Sequence, residues 1–202
     1  MEEGAGEPPR SFERKPEQNM EHPSGKNKYD SRVRTLAVCG LFTAIITVLT
    51  LFASVPLPVG NGGAYLNAGD AAVFASAYVL GPYWGAVVSG LGSALADILH
   101  GSAIYAPATL VIKALMALTC GLMIRRLRGG AAFIAGLIMP LGYCAFEWVI
   151  FDKTAALTGL WMNAIQYAFG AIAATLIFSA LRRAGVKLFG KGEISREDKR
   201  KH

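Results

Sequence analysis

The feature that most constrains this sequence is a long apolar region that carries very little charge. Between Arg34 and Arg182 lie about 150 residues, chiefly Ala, Leu, Ile, Val and Gly, enough for five to seven membrane spans of about 20 residues each. The chain as a whole is 53% hydrophobic and 17% charged, and most of the charge lies outside this region. The sequence therefore predicts a single all-α, polytopic membrane domain over residues 32–182.

Both flanking segments are polar and differ in composition from the membrane domain. Residues 1–31 are rich in Glu, Lys, Pro, Gly and Asn. Such a segment buries too little apolar surface to fold by itself, so we expect a disordered cytoplasmic tail. It also lacks the residue order of a cleavable signal peptide. Residues 183–202 are predicted to form a basic cytoplasmic tail. The net charge of +6 comes from basic residues beside the apolar segments, a placement that indicates membrane orientation rather than nucleic-acid binding.

Proline and glycine breaks divide the apolar region into six helical segments. Two prolines after Val55 stop the first helix, and Gly81-Pro82 separates the second from the third. The third helix has a face of small residues, among them Gly85, Ser89 and Gly92, that favours close helix packing in lipid. We expect the fifth helix to be interrupted at Pro140. The predicted bounds are about 32–53, 71–80, 83–99, 104–124, 131–151 and 155–181.

The orientation of these helices follows from the positions of the basic residues. Lysines and arginines cluster before the first helix, after the fourth at Arg125-Arg126-Leu127-Arg128, and after the sixth. Six spans place all three clusters on one side, so both termini are expected to be cytoplasmic. The glycine-rich segment 59–67 then faces outward, and its composition predicts a mobile loop that could cover a site.

Ionisable residues inside the apolar region indicate a functional site, because charges are costly in a bilayer. Asp97 lies near the outer end of the third helix, and Lys113 lies in the outer half of the fourth. Glu147 has no basic neighbour on its own helix and is available for a protonatable ring nitrogen or an amino group. Asp97 and Lys113 could instead form a structural ion pair between two helices.

Several polar and aromatic residues are expected at the same depth as these charges. Tyr105, Thr109 and Lys113 share a helix face at i, i+4 and i+8, and Tyr143 lies one turn from Glu147. A few convergent polar groups in an apolar cavity suit a small polar ligand. The predicted substrate-binding residues are Asn67, Asp97, Tyr105, Thr109, Lys113, Tyr143, Glu147, Trp161, Asn163 and Gln166.

Some of these positions also have structural interpretations that stay open. Trp161 could belong to the aromatic belt at the membrane surface. Asn163 and Gln166 could hydrogen-bond between helices, and Asn67 could serve either role. For Asp70, at the start of the second helix, we favour a cap or a charge that complements the helix dipole.

Two other classes of protein fit the sequence less well. An intramembrane enzyme is disfavoured because no metal-spaced histidines and no nucleophile elbow are present, so we expect no enzymatic activity, no metal and no cofactor. A self-sufficient carrier is disfavoured because the two halves lack matching broken segments. The chain also lacks a GxxxxGK[ST] sequence, so energy for transport would have to come from partners.

Several short motifs together resemble a known family. Tyr65-Leu-Asn-Ala-Gly-Asp70, Gly92-Ser-Ala-Leu-Ala-Asp97 and Tyr105-Ala-Pro-Ala-Thr109, followed by Lys113, are similar to segments of the substrate-binding S components of energy-coupling factor (ECF) vitamin transporters. The pattern looks most like the riboflavin-type branch, which includes hydroxymethylpyrimidine and pyridoxine carriers. The likeness covers about residues 32–182.

This resemblance implies a six-helix S component in the plasma membrane of a prokaryote. It also implies capture of a B-vitamin-like heterocycle from outside and its delivery with a transmembrane coupling subunit and two ATPases. The family's Ala-x-x-x-Ala docking surface corresponds here to Gly40-Leu-Phe-Thr-Ala44, where Gly40 keeps the small size. The cavity has few large aromatics, so we expect a pyridoxine-type or hydroxymethylpyrimidine ligand, with riboflavin as the alternative.

Overall fold

The chain folds into a helical bundle with one small β-ribbon. This computed structural model describes residues 25–56, 65–127 and 129–186. Within those ranges the helices are α1 (Gly25–Phe52), α2 (Gly69–Leu80), α3 (Pro82–Leu99), α4 (Ala106–Leu127), α5 (Gly130–Gly136), α6 (Ile138–Ile150) and α7 (Lys153–Arg183). The two strands are β1 (Ser54–Pro56) and β2 (Tyr65–Asn67), which pair antiparallel. The all-α prediction is thus confirmed, and α5 with α6 correspond to the predicted fifth helix.

The first helix begins earlier than the sequence suggested. α1 starts at Gly25, so residues 25–31, which we assigned to the N-terminal tail, are helical. Residues 1–24 and 187–202 of the two predicted tails lie outside the described residues. α4 begins at Ala106 rather than at residue 104, and Pro107 falls in its first turn, where a missing N–H removes no helical hydrogen bond.

The β-ribbon was not predicted, and it holds the two ends of the expected outer loop together. Ser54 pairs with Asn67 and Pro56 with Tyr65, and the Ala68 amide donates to the Ala53 carbonyl at 3.3 Å. Residues 57–64, the central part of the loop predicted to cover the site, lie outside the described residues. The pairing fixes where α2 begins relative to the end of α1.

The fifth span is broken three residues before the position we predicted. The break falls at Leu137, between α5 and α6, and Pro140 lies in the first turn of α6. A proline is tolerated there because the first amides of a helix have no intrahelical acceptor. The prediction of an interruption is therefore confirmed, but its placement at Pro140 is wrong.

Four segments are long and apolar enough to cross a membrane. Among the described residues they are Arg32–Phe52, Ala106–Leu127, Gly130–Ile150 and Lys153–Arg183. α2 has 12 residues, which makes it about 18 Å long and shorter than the roughly 30 Å hydrocarbon core. Its side chains are buried almost all round, from Phe74 to Tyr78 and Leu80, so the other helices enclose it.

Small residues bring α3 close to α1, α2 and α4. A Cβ on Gly92 would lie 2.9 Å from the Thr43 carbonyl of α1, and a Cβ on Gly90 would lie 2.7 Å from the Leu110 carbonyl of α4. The Ser76 and Ser89 hydroxyls hydrogen-bond at 2.9 Å between α2 and α3. Packing of this kind holds helices together in lipid, where exclusion of water contributes little.

Replacing Gly90 by alanine should destabilise the bundle. The added methyl group would meet backbone of α4, which cannot rotate away as a side chain can, so we expect a loss of about 1–3 kcal/mol. The matched control is Gly130→Ala, whose Cβ would meet nothing closer than Leu127 Cβ at 3.8 Å. Thermal unfolding of the detergent-purified proteins measures both, and equal melting temperatures would contradict the packing described here.

Candidate functional site

Two helix faces meet in a row of three polar pairs, which we call the polar ladder. One side consists of Tyr105, immediately before α4, and two α4 residues that follow it at intervals of four. The other side consists of residues four apart on α6, which runs antiparallel to α4. Four residues of helix rise about 6 Å, so the pairs are stacked at that interval. The pairs are Tyr105–Glu147, Thr109–Tyr143 and Lys113–Met139.

The outer pair contains a buried carboxylate with one free oxygen. The Tyr105 hydroxyl donates to Glu147 Oε1 at 3.4 Å, a long hydrogen bond. Glu147 is 8% exposed, and its Oε2 is buried without a hydrogen-bond partner among the described residues. A Cβ on Gly159 of α7 would lie 1.9 Å from Oε2, so the absence of a side chain there makes room for the carboxylate.

The middle pair connects the ladder to α3. The Thr109 and Tyr143 hydroxyls hydrogen-bond at 2.8 Å, and both residues are buried. The Asp97 side chain also interacts with the Thr109 hydroxyl. Asp97 Oδ2 is buried and has no hydrogen-bond partner in the part of the chain that the structure describes.

The inner pair belongs to a network that joins three helices. Lys113 Nζ of α4 forms an ion pair with Asp70 Oδ1 of α2 and donates to Met139 Sδ at 3.1 Å. Gln166 Nε2 of α7 donates to Asp70 Oδ2 at 2.7 Å. Lys113 is 4% and Asp70 2% exposed, and Gly170 leaves room for the Asp70 side chain. Every charge in this network has a partner.

This network corrects two interpretations made from the sequence. The alternative of an ion pair between Asp97 and Lys113 is wrong, because the Lys113 ammonium pairs with Asp70. The interpretation of Asp70 as a cap is also wrong, since Ala68 is the N-cap of α2 and no side-chain cap bond is present there. The place of Asp70 in the first turn agrees with the alternative of a charge that complements the helix dipole. Asp70 lies in the first turn but points into the bundle, where the desolvated ammonium requires a counter-charge.

Asn67 lies at the end of β2 and supports α2 rather than the ladder. It is 6% exposed, and its Oδ1 accepts from the Gly69 amide at 2.7 Å. This bond fixes the first turn of α2, which carries Asp70. The Asn67 side-chain oxygen therefore has a structural role, and the prediction that Asn67 binds substrate stays a prediction.

The three α7 residues predicted to bind substrate differ in burial. Gln166 is buried in the Asp70 network, and Asn163 is half-buried without a side-chain hydrogen bond to the described residues. Trp161 is 67% exposed. Five residues separate Trp161 from Gln166, which turns the helix by about 140° between them and directs the indole outward. Its position agrees with the interfacial-belt interpretation, and the prediction that it binds substrate stays a prediction.

The surface predicted for docking a partner is exposed on α1. Gly40 and Ala44 are both exposed, and a Cβ on Gly40 would meet nothing within 4 Å. Thr47 continues the spacing of small residues but is buried, and its hydroxyl donates to the Gly92 carbonyl at 2.9 Å. Of the four candidate spans, the α1 span has the smallest buried share, 17%. Its outer face therefore stays available for lipid or for another protein.

The fold is that of an ECF transporter S component. A solved S component of a bacterial ECF transporter superimposes with a TM-score of 0.62 at 20% identity, covering 75% of this chain and 97% of the other. The S component for biotin from an ECF-type ABC transporter gives a TM-score of 0.54 at 20% identity, covering 77% and 92%. Both likenesses concern the fold.

Sequence comparison identifies the family. Residues 30–183 match the family model described as ECF-type riboflavin transporter, S component, and the chain belongs to that family. The thiamine precursor transporter HmpT of Lactococcus lactis subsp. cremoris is 24% identical over 157 residues, 78% of this chain and 93% of HmpT. A Pyrococcus woesei protein described as an uncharacterized protein in gap 3'region is 32% identical over 133 residues, 63% of this chain and 87% of that protein.

Membership of this family confirms the main functional prediction. The chain is a membrane-embedded S component of an ECF importer and not an enzyme.

Sequence reasoning missed two members of the inner network, Asp70 and Met139. A signal for Asp70 was present, because Lys113 in an apolar helix requires a counter-charge and Asp70 opens another apolar helix. Met139 lies two turns before Glu147 on α6, but nothing in the sequence distinguishes a methionine that accepts from an ammonium from one that fills space.

Breaking the Lys113–Asp70 pair should destabilise the protein strongly. Lys113→Ala leaves Asp70 as a buried charge without its cation, and we expect a loss of about 3–5 kcal/mol. The matched control Lys153→Ala removes an exposed lysine at the start of α7 and should change little. The double variant Lys113→Met/Asp70→Asn removes both charges and should lose less than the sum of the single changes. Additive losses in thermal unfolding would show that the pair is not coupled.

Proposed function

We propose that this S component captures a small B-vitamin-like heterocycle at the outer end of the polar ladder. The ligand is of pyridoxine type or a hydroxymethylpyrimidine. The single observation that carries this proposal is the Glu147 carboxylate, which is buried beside Tyr105 and has one oxygen without a partner among the described residues. A buried carboxylate oxygen gains most from a donor supplied by a ligand, since leaving it unpaired is costly.

The distribution of basic residues supports an outward-facing site. Arg125 and Arg126 lie at the end of α4, and Arg182 and Arg183 lie at the end of α7. The β-ribbon, the α3–α4 turn and the α6–α7 turn lie at the opposite ends of the spans. By the positive-inside tendency the arginines are cytoplasmic, as are both termini, and Tyr105 and Glu147 lie toward the outside of a prokaryotic plasma membrane.

The polarity of the ladder favours a compact ring over a tricyclic one. Its aromatic members, Tyr105 and Tyr143, have ring centroids 6.4 Å apart, and the Phe146 and Phe151 rings lie 5.5 and 5.9 Å from that of Tyr105. The hydroxyls of the ladder and the Glu147 carboxylate suit a ring carrying small polar substituents. A relative that transports a thiamine precursor is consistent with this choice. Riboflavin is the second candidate, because the matching family model carries that name.

The proposed partners are the transmembrane coupling subunit and two ATPases of an ECF importer. The exposed Gly40 and Ala44 surface on α1 is the proposed contact with the coupling subunit, because small residues let a second helix approach closely in lipid. ATP hydrolysis by the partners would supply the energy for uptake.

Identification of the ligand tests the proposed site. The full chain, purified in detergent, should raise its melting temperature with pyridoxine-type vitamers or a hydroxymethylpyrimidine, since a ligand bound only to the folded state stabilises it. Mass spectrometry of co-purifying molecules provides an independent measurement. A yellow protein that releases a flavin would identify riboflavin as the ligand. Chemical turnover of a substrate by the chain alone would contradict a role as a transporter component.

Larger side chains on the exposed α1 surface should abolish uptake without reducing ligand affinity. Gly40→Leu/Ala44→Leu should preserve ligand affinity, because both positions are exposed and far in sequence from the ladder, and should abolish uptake in cells that express the coupling module. Ala168→Leu on α7 is the matched control, since Ala168 is also exposed. Normal uptake by the double variant would remove α1 as the docking surface.

A further inference from the structure

The buried polar groups around the ladder carry more negative than positive charge. Three carboxyl groups lie among the described residues of this region, those of buried Asp70 and Glu147 and of half-buried Asp97, together with the single ammonium of Lys113. Lys113 is already paired with Asp70, and Gln166 binds the second Asp70 oxygen. Lys113 and His100 also act electrostatically on Asp97, whereas Glu147 forms no ion pair with the described residues.

Asp97 and Glu147 each have one carboxylate oxygen that lacks a hydrogen-bond partner among the described residues. Glu147 Oε2 and Asp97 Oδ2 are both buried without a hydrogen-bond partner in the described ranges. Glu147 contacts the ladder at Tyr105 and Asp97 contacts it at Thr109. The two contact positions are one helical turn, about 6 Å, apart along α4. The two carboxylates therefore meet this side of α4 one turn apart, and the free oxygen of each can accept a hydrogen bond.

The packing of α6 against α7 at Gly159 fixes the position of the Glu147 carboxylate. Any side chain at Gly159 would overlap Oε2, because a Cβ there would lie 1.9 Å from that atom. The lack of a side chain at this position lets the carboxylate lie between the helices with its oxygen unpaired. Gly159 is accordingly a positioning residue for Glu147.

We propose that Glu147 and Asp97 make this site selective for ligands that present an amino group or a protonated ring nitrogen, and against phosphorylated or carboxylated ligands. The inference rests on the proposed function and deepens it. A donor or cation satisfies the free carboxylate oxygens. An anion would face two like charges, and its natural partner, the Lys113 ammonium, is held by Asp70.

A matched pair of ligands tests this selectivity. Titration calorimetry on the full purified chain compares 4-amino-5-hydroxymethyl-2-methylpyrimidine with its 4-hydroxy analogue, and pyridoxamine with pyridoxine. The amino compound of at least one pair should bind about ten- to a hundredfold more tightly, as expected for a hydrogen bond to a charged group. The corresponding phosphate esters should bind more weakly than either.

Variants of Glu147 and Gly159 test whether these residues cause the preference for amino compounds. Glu147→Gln presents an amide donor to the ligand amine and should reduce the preference by about tenfold or more. Gly159→Ala keeps the charge but displaces the carboxylate, and should have the same effect. The control Asp152→Asn removes an acid from the α6–α7 turn while keeping a side-chain oxygen for the Ala155 amide, and Gly130→Ala controls for the added methyl group.

The outcomes separate this inference from the proposed function. Equal binding of amino and hydroxy compounds, or tighter binding of the phosphates, would overturn the charge selectivity and leave a vitamin-binding S component. A preference unchanged in Glu147→Gln would overturn the assignment to Glu147. No binding of any B vitamin, together with no uptake when the coupling module is present, would overturn the proposed function and this inference with it.

Discussion

The structure depends on the ion pair between Lys113 and Asp70. An ammonium inside a membrane domain costs on the order of 3 kcal/mol or more, and a carboxylate alone costs a similar amount, so neither is stable there without the other. The pair connects α4 to α2, and Gln166 connects both to α7 through the second Asp70 oxygen. α2 is too short to span the membrane by itself, and these contacts fix it inside the bundle.

Placement of the pair also decides which groups remain for a ligand. Because Lys113 and Asp70 neutralise each other at the inner end of the polar ladder, the chemistry available toward the outside consists of hydroxyls and carboxylates. Glu147 is held there by the space at Gly159 and by a long bond from Tyr105. A carboxylate that a protein buries without a full set of partners is poised to bind a donor, whereas a fully paired one is structural.

Local regularities were predictable from the sequence, and pairings between distant segments were not. The face formed by Tyr105, Thr109 and Lys113 follows from helical periodicity, and the six segments follow from the proline and glycine breaks. The resemblance to S components indicated the family. The partner of Lys113 lies 43 residues away on another helix, so no local rule could select Asp70 over Asp97. Contacts between helices also decide which side of α7 is buried: Gln166 is buried against Asp70, whereas Trp161, five positions earlier, is exposed.

The most direct test of this account is an experimental structure of the full chain with its vitamin bound. The account predicts a ligand nitrogen within hydrogen-bond distance of Glu147 Oε2, contacts to Tyr105 or Thr109, and an intact pair between Lys113 and Asp70. A ligand held by Lys113, with its pair to Asp70 opened, would contradict the account, as would a ligand bound away from the polar ladder.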